Sequence, residues 1–250
     1  MNTPDGSQYL IISALEQTEV IHHAFTTRRN GLGARKNGVK ATDDWNVIAK
    51  DFGIANDRLV TVEQIHGETI VTADERNYQT MKSVQADAMI TNIPGIAIGV
   101  ETADCVPVLL VDPALRAIAA IHAGWKSTVL NIVGKTVYRM QDTFGSDPST
   151  IIAGIGPAIG PECYEVDEPV MTKVKQAFPF WDQIATEHGN GRWHLDLVKT
   201  TMKELAQTGI QEWNIHTIGL CTSCRRDLFY SFRAEGRTGR MLSVIMLNVS

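Results

Sequence analysis

From residue 9 to residue 121 the chain is a succession of short apolar runs cut by turn residues, and that pattern leaves few folds open. The runs lie at 9–13, 21–26, 59–64, 69–72, 88–91, 96–100, 106–111 and 117–121. Their length suits strands rather than helices. Pro94-Gly95 and Asp112-Pro113 supply turns between the middle runs. After Gly124 the period changes. Val129, Ile132, Val133, Thr136, Val137, Met140 and Phe144 keep helical spacing, and Gly145 is a natural stop. A strand at 151–155 leads into Gly156-Pro-Ala-Ile-Gly-Pro161, too rich in glycine and proline for regular structure. A second helical stripe, Leu197, Thr201, Met202 and Leu205, opens at Asp196 as N-cap and closes at Gly209. Strands at 212–218, 228–232 and 241–247 follow. The fold class expected is mixed α/β (α+β), with layered sheets and helices outside.

The 250 residues are ample to bury a core and show no repeat, low-complexity tract or linker. Net charge is −5 with no long basic run, which argues against a nucleic-acid partner. No apolar stretch approaches the roughly 18–20 residues that span a bilayer. Residues 1–7 have neither the basic nor the apolar section of a signal peptide. The expectation is a cytoplasmic chain without a membrane partner. Its four cysteines are then reduced, and metal-binding, catalytic or inert rather than disulfide-bonded.

The chemistry concentrates where apolar runs end. Glu101-Thr-Ala-Asp-Cys-Val-Pro-Val108 places Cys105 at the head of one run, and Ile121-His-Ala-Gly-Trp125 places His122 at the end of the next. Glu63-Gln-Ile-His-Gly67 adds His66 upstream. Two imidazoles and a thiol suit a zinc ion with one open position, the pattern of a catalytic rather than a structural site. Taken singly, each residue is equally at home as a core or surface side chain. The small residues after His122 let other groups approach closely, and Asp104 puts a charge beside the thiol. His66, Cys105 and His122 are therefore the candidate metal ligands and catalytic residues. Asp104 is a candidate proton shuttle.

Other motifs carry less. His66-Gly67-Glu68 with Cys221-Thr-Ser-Cys224 imitates a zinc deaminase signature, but Leu220 stands where that signature has proline and the gap is far too long. Cys221 and Cys224 offer only two ligands, with His216 nearby, and are assigned a structural or incidental role. Gly154-Ile-Gly156 is no dinucleotide loop, because Pro157 and Pro161 break any following helix. Among the arginines, Arg28 follows a strand-like run, and Arg233, Arg237 and Arg240 surround two glycines. Such groups bind phosphate or carboxylate by a forked contact, and are also ordinary surface charges.

An ordered set of motifs resembles one family almost end to end. The set comprises His23-Ala-Phe-Thr-Thr-Arg28, Val62-Glu-Gln-Ile-His-Gly67, Ala86-Asp-Ala88, Thr102-Ala-Asp-Cys-Val-Pro107, His122-Ala-Gly-Trp125, Gly156-Pro-Ala-Ile-Gly-Pro161 with Cys163-Tyr-Glu-Val166, Cys221-Thr222, and Phe229-Tyr-Ser-Phe232 with Gly236-Arg-Thr-Gly-Arg240. The chain resembles the YlmD/YfiH-type purine nucleoside phosphorylases, formerly labelled multicopper polyphenol oxidases or laccases and also described as peptidoglycan editing factors. The resemblance implies a single layered α-β-β-α domain over 1–250, related to the catalytic domain of cytotoxic necrotizing factor toxins. It implies zinc, with copper as the other cofactor claimed, held by His66, Cys105 and His122. The partners implied are purine nucleosides and phosphate. Adenosine, inosine and methylthioadenosine would be cleaved to base and ribose 1-phosphate, with adenosine deamination as a second activity, in a monomer or homodimer. Arg28 is the candidate substrate-binding anion contact. The chain departs from the family pattern at Lys126, at Ala234 after Arg233, and at Glu162 before Cys163. The three ligands are untouched, and the resemblance assigns Lys126 and Arg233 no role.

Two other readings remain at this level. A metal-independent cysteine hydrolase would use Cys105 as nucleophile and His122 as base, acting in peptidoglycan precursor editing. A copper-dependent polyphenol oxidase could use the same His₂Cys set, although a multicopper site needs more suitably spaced histidines than the seven present.

Overall fold

A computed structural model describes residues 9–29 and 43–249. The N-terminal residues 1–7 read above for a signal peptide lie outside the described residues. In chain order the strands are β1 (Tyr9–Leu10), β2 (Ile21–Thr26), β3 (Leu59–Val60), β4 (Ile70–Thr72), β5 (Ala88–Thr91), β6 (Ala97–Thr102), β7 (Val106–Asp112), β8 (Ala117–Ala123), β9 (Ile152–Ile155), β10 (Glu165–Asp167), β11 (Ala185–Gly189), β12 (Arg192–Leu195), β13 (Ile215–Thr217) and β14 (Met241–Leu247). The helices are α1 (Ser13–Glu16), α2 (Asp43–Asp51), α3 (Trp125–Val129), α4 (Ile132–Phe144), α5 (Glu168–Ala177), α6 (Trp181–Ile184), α7 (Leu197–Gln207) and α8 (Phe232–Glu235).

Two sheets dominate. One has the order β1-β2-β14-β6-β3 and the other β13-β9-β7-β8-β5-β4, with β10-β12-β11 as a small third sheet. The faces of β7 and β8 explain the arrangement. Leu109, Val111, Ile118 and Ala120 point into a core shared with Phe25, Ile98, Val100 and Ile245 of the first sheet. Val108, Leu110, Ala119 and Ile121 point the other way, against Val133, Val137 and Met140 of α4 and Leu205 of α7. The outer face of the first sheet, with Ala24, Ala97 and Val244, is covered by Ile48 of α2. The order of layers is therefore α-β-β-α. Strands covered on both faces read as continuous apolar runs, which is why β7 and β8 stand out in the sequence.

Several elements differ from the sequence expectation. The run 9–13 is strand only to Leu10, and Ser13 begins α1. The run 59–64 is strand only to Val60. The expected helix from Val129 is two helices, because Asn131 takes a left-handed conformation (φ 60°) and its side chain caps α4 through the Gly134 N–H. Residues 228–232 are not a strand. The N–H groups of Leu228 and Phe229 both donate to Arg225 O, and Ser231 caps α8 through the Ala234 N–H. Local bonds thus use the groups a sheet would need. The 212–218 run forms a 3₁₀ turn before β13.

Candidate metal centre

The register of two hairpins builds the site. In the β7–β8 pair Val106 stands opposite Ala123 and Pro107 opposite His122. Cys105, one residue before β7, therefore ends beside His122. In the β5–β8 pair Ala88 stands opposite Ile121, which brings Asp87 to the other side of His122, whose backbone N–H donates to Asp87 O at 2.8 Å. Cys105 lies in the short link where the chain leaves the first sheet (β6) for the second (β7). His66 arrives in the loop between β3 and β4.

The three candidates meet. Their donor atoms lie within 4.8 Å of one another. Cys105 Sγ is 3.9 Å from His66 Nε2, and the two imidazole rings stand edge to face with centroids 4.7 Å apart. Donors bound to one tetrahedral zinc at about 2.0–2.3 Å stand about 3.3–3.6 Å from each other, so a closure of a few tenths of an ångström between Cys105 and His66 would suit a shared ion. Gly124 makes room for it: a Cβ there would come 2.9 Å from His66 Cδ2 and 3.0 Å from Cys105 Sγ.

Asp87 orients the set, and sequence reasoning assigned it no role. Its carboxylate is fully buried. Oδ1 accepts the His122 Nδ1–H at 2.7 Å, which leaves Nε2 for the cavity. The same carboxylate accepts the N–H groups of His66 at 2.9 Å, of Gly67 at 2.6 Å and of Ile65 at 3.3 Å. Those bonds hold His66 in the left-handed region (φ 58°), which is costly for a non-glycine residue. Its only sequence signal is a charge in Ala86-Asp-Ala88 at the head of an apolar run.

Charge is shared across the group. Burial would raise the Cys105 thiol, but the charge and hydrogen bonds of His122 and His66 outweigh it and bring the thiol down to about 6. Burial likewise opposes a charged His122, yet Cys105 and Asp87 bring it up to about 9. Burial also works against the Asp87 carboxylate, but His122 and the N–H groups of Gly67 and His66 hold it below the usual range. Without an ion the arrangement favours a Cys105 thiolate beside a charged His122. The thiolate is ready to ligate metal, and His122 would have to release its second proton as a metal bound.

Asp104, the candidate proton shuttle, lines the same cavity as Cys105 and also makes structural bonds. Its Oδ1 accepts the Thr222 hydroxyl at 2.6 Å and its Oδ2 accepts the Arg233 N–H at 2.6 Å. Its carbonyl accepts the Ile159 N–H at 2.9 Å, and its φ is 95°. It ties three segments together beside Cys105.

Arg28 is not brought to the site. Its guanidinium lies 4.7 Å from the Tyr230 ring centre and donates twice to Glu235 Oε1 at 3.2 Å and also to Arg226 O. The cavity above His66, Cys105 and His122, about 870 Å³, is lined instead by the cations of Lys82, Lys126, Arg233 and Arg240. Its walls include the rings of Trp125, Tyr164 and Phe232. Of the other histidines, His188 and His194 stand together with Glu165 on the small sheet, and only His66 and His122 line this cavity. No helix among the described residues is long and apolar enough to cross a membrane.

This is an α/β protein built on two large sheets, with a His₂Cys group in a cavity lined by both cations and carboxylates. Residues 22–248 match the family model described as multi-copper polyphenol oxidoreductase laccase, and the chain belongs to that family, which includes the YlmD and YfiH proteins. It is 36% identical over 240 residues to a purine nucleoside phosphorylase of Deinococcus radiodurans, covering 91% of this chain and 89% of the relative. It is 32% identical over 217 residues to adenosine deaminase RL5 from an unknown prokaryotic organism, covering 84% and 82%. The crystal structure of hypothetical protein YfiH from Bacillus licheniformis superposes with a TM-score of 0.89 at 29% identity, over 98% of both chains.

Proposed function

We propose that this chain is a metal-dependent purine nucleoside phosphorylase, acting on adenosine, inosine and methylthioadenosine, with adenosine deamination as a second activity. The observation that carries the reading is the convergence of His66, Cys105 and His122 on the floor of a cavity with aromatic walls and four cations. The names of the relatives point to the same substrates. The reading takes 1–250 as one domain, supported by the apolar core that the two large sheets share.

His66, Cys105 and His122 would hold one zinc ion. Bound there, zinc supplies Lewis acidity. The remaining work falls to the chain. Asp87 keeps the proton on His122 Nδ1 and so fixes the imidazole. Trp125, Tyr164 and Phe232 offer faces on which a purine can stack. Arg233 and Arg240 line the cavity, their Nη1 atoms bonded to main-chain carbonyls, and would meet phosphate through the rest of the guanidinium, while Lys126 adds a point charge. Phosphate oxygen then attacks ribose C1′ as the N-glycosidic bond breaks, and the departing base needs a proton. Glu63 and Glu101 bring carboxyl groups of the required type to the same cavity. With one His₂Cys group, the cavity suits a single ion and not the several coppers of a multicopper oxidase.

One observation favours a second reading. Cys105, His122 and Asp87 also have the order of a nucleophile, base and orienting carboxylate. A cysteine hydrolase would keep its activity in chelator and lose it to iodoacetamide. Base release from adenosine and inosine, with and without phosphate, separates the readings. Phosphate-dependent release that chelation abolishes is expected. No bound metal and no base release, with turnover of cell-wall amide substrates that survives chelation, would favour the hydrolase.

A further inference from the structure

Cys221 and Cys224 offer only two ligands when the sequence is read alone, but the fold adds a third. Cys163, at the end of the 3₁₀ turn Pro161–Cys163, brings its Sγ to 3.4 Å from Cys224 Sγ. The three sulfurs lie within 4.8 Å of one another. We propose that Cys163, Cys221 and Cys224 form a second metal site, which takes one thiophilic d¹⁰ cation, zinc or copper(I), through three thiolates.

The chemistry of the donor set favours such an ion. Thiolates select zinc and copper(I) over harder cations, and three sulfurs suit a trigonal copper(I) or a zinc that keeps one solvent position. A disulfide would use two of the sulfurs and leave the third without purpose. The frame is built by hydrogen bonds. Ala158 pairs with Cys221 in a parallel bridge, the Thr222 N–H donates to Ala158 O at 3.0 Å, and the Arg225 N–H donates to Cys221 O at 3.0 Å. Gly160 donates its N–H to Cys221 Sγ at 3.1 Å, and a Cβ on Gly160 would stand 3.3 Å from that sulfur. Cys224 is exposed, and all three cysteines line a separate cavity of about 480 Å³, so an ion has a way in.

The position gives the ion a task. Cys163 adjoins Tyr164, a wall of the main cavity, and the carbonyl of Cys163 accepts from Arg233 Nη1 at 3.4 Å. Cys221 adjoins Thr222, which holds Asp104 beside Cys105. A cation on the three sulfurs clasps the 158–164 loop to the 220–225 turn, and so fixes the back wall of the His₂Cys centre.

The test is metal stoichiometry on the full chain under anaerobic conditions, with zinc alone or copper(I) alone as probe. Cys163→Ser/Cys224→Ser should hold one equivalent less than the unmutated chain with at least one of the two cations, which identifies the ion. That difference stands whatever His66, Cys105 and His122 hold. Equal stoichiometry with both probes would overturn the proposal. On the unmutated chain the same cation should slow N-ethylmaleimide capture of all three cysteines roughly tenfold or more, since the thiolate is both ligand and nucleophile. Unprotected thiols with both cations, or a Cys163–Cys224 disulfide in the loaded anaerobic chain, would overturn it as well.

Discussion

At the scale of single residues, the site depends on groups that never touch a substrate. Asp87 is the clearest case, since one buried carboxylate fixes the His122 tautomer and the backbone at His66. Asp87→Asn keeps the volume but removes the charge that both contacts use. It should weaken zinc binding about 10–100-fold while the chain still folds, read by competition against a chromophoric chelator. Gly124 works by absence. Gly124→Ala sets a methyl against His66 and Cys105, and a ligand displaced by such a contact should cost on the order of 100-fold in kcat. Far-UV circular dichroism should barely change, because Gly124 precedes α3 and belongs to no sheet. Unaltered turnover in Gly124→Ala would mean that the three donors do not act at the observed spacing.

At the scale of elements, caps and buried polar groups decide where the chain turns. Asn131 ends α3 and opens α4 by combining a left-handed backbone with a side-chain cap. Asn131→Ala loses both and should cost about 2 kcal/mol in urea unfolding, whereas Asn131→Gly, which tolerates the backbone, should cost less. His23 in β2 accepts the Ile12 N–H, at the start of α1, at 2.9 Å. Burial, aided by the charge of His22, brings it down to about 4. An unfolded histidine titrates near 6.5. Above that pH His23 is neutral in both states and favours neither. Between about 6.5 and 4 the unfolded chain takes the proton and the folded chain does not, so stability falls as pH falls, by about 3 kcal/mol in all. His23→Gln should flatten that part of the pH dependence between pH 7 and 4.5. An identical slope in both proteins would contradict the assignment.

The same scale shows what the sequence carried and what it hid. β7 and β8 were legible because each is buried on both faces, and Cys105 and His122 were legible because they sit where those runs begin and end. Asp87 was not, since its meaning lies in a register that pairs Ala88 with Ile121. The small sheet was missed because β11 is exposed along most of its length and carries Glu187 and His188, so no apolar alternation marks it. Helix α5 hides its start in Asp167, whose side chain caps the Val170 N–H, and buries only Met171 and Val174. The third cysteine of the sulfur cluster comes from a turn 58 residues before Cys221, a distance no local spacing reports.

At the scale of the whole molecule, two stacked sheets give the centre its rigidity. One candidate ligand comes from a strand end of the second sheet, one from the link between sheets, and one from a loop pinned by Asp87. The central claim is that this centre holds one metal ion and that nucleoside phosphorolysis needs it. The most direct measurement is base release from adenosine with phosphate, followed through chelation and zinc return, in the unmutated chain and in Cys105→Ala. Loss on chelation, recovery with zinc, and no turnover in Cys105→Ala are the expected results. Full phosphate-dependent turnover in metal-free Cys105→Ala would contradict the claim.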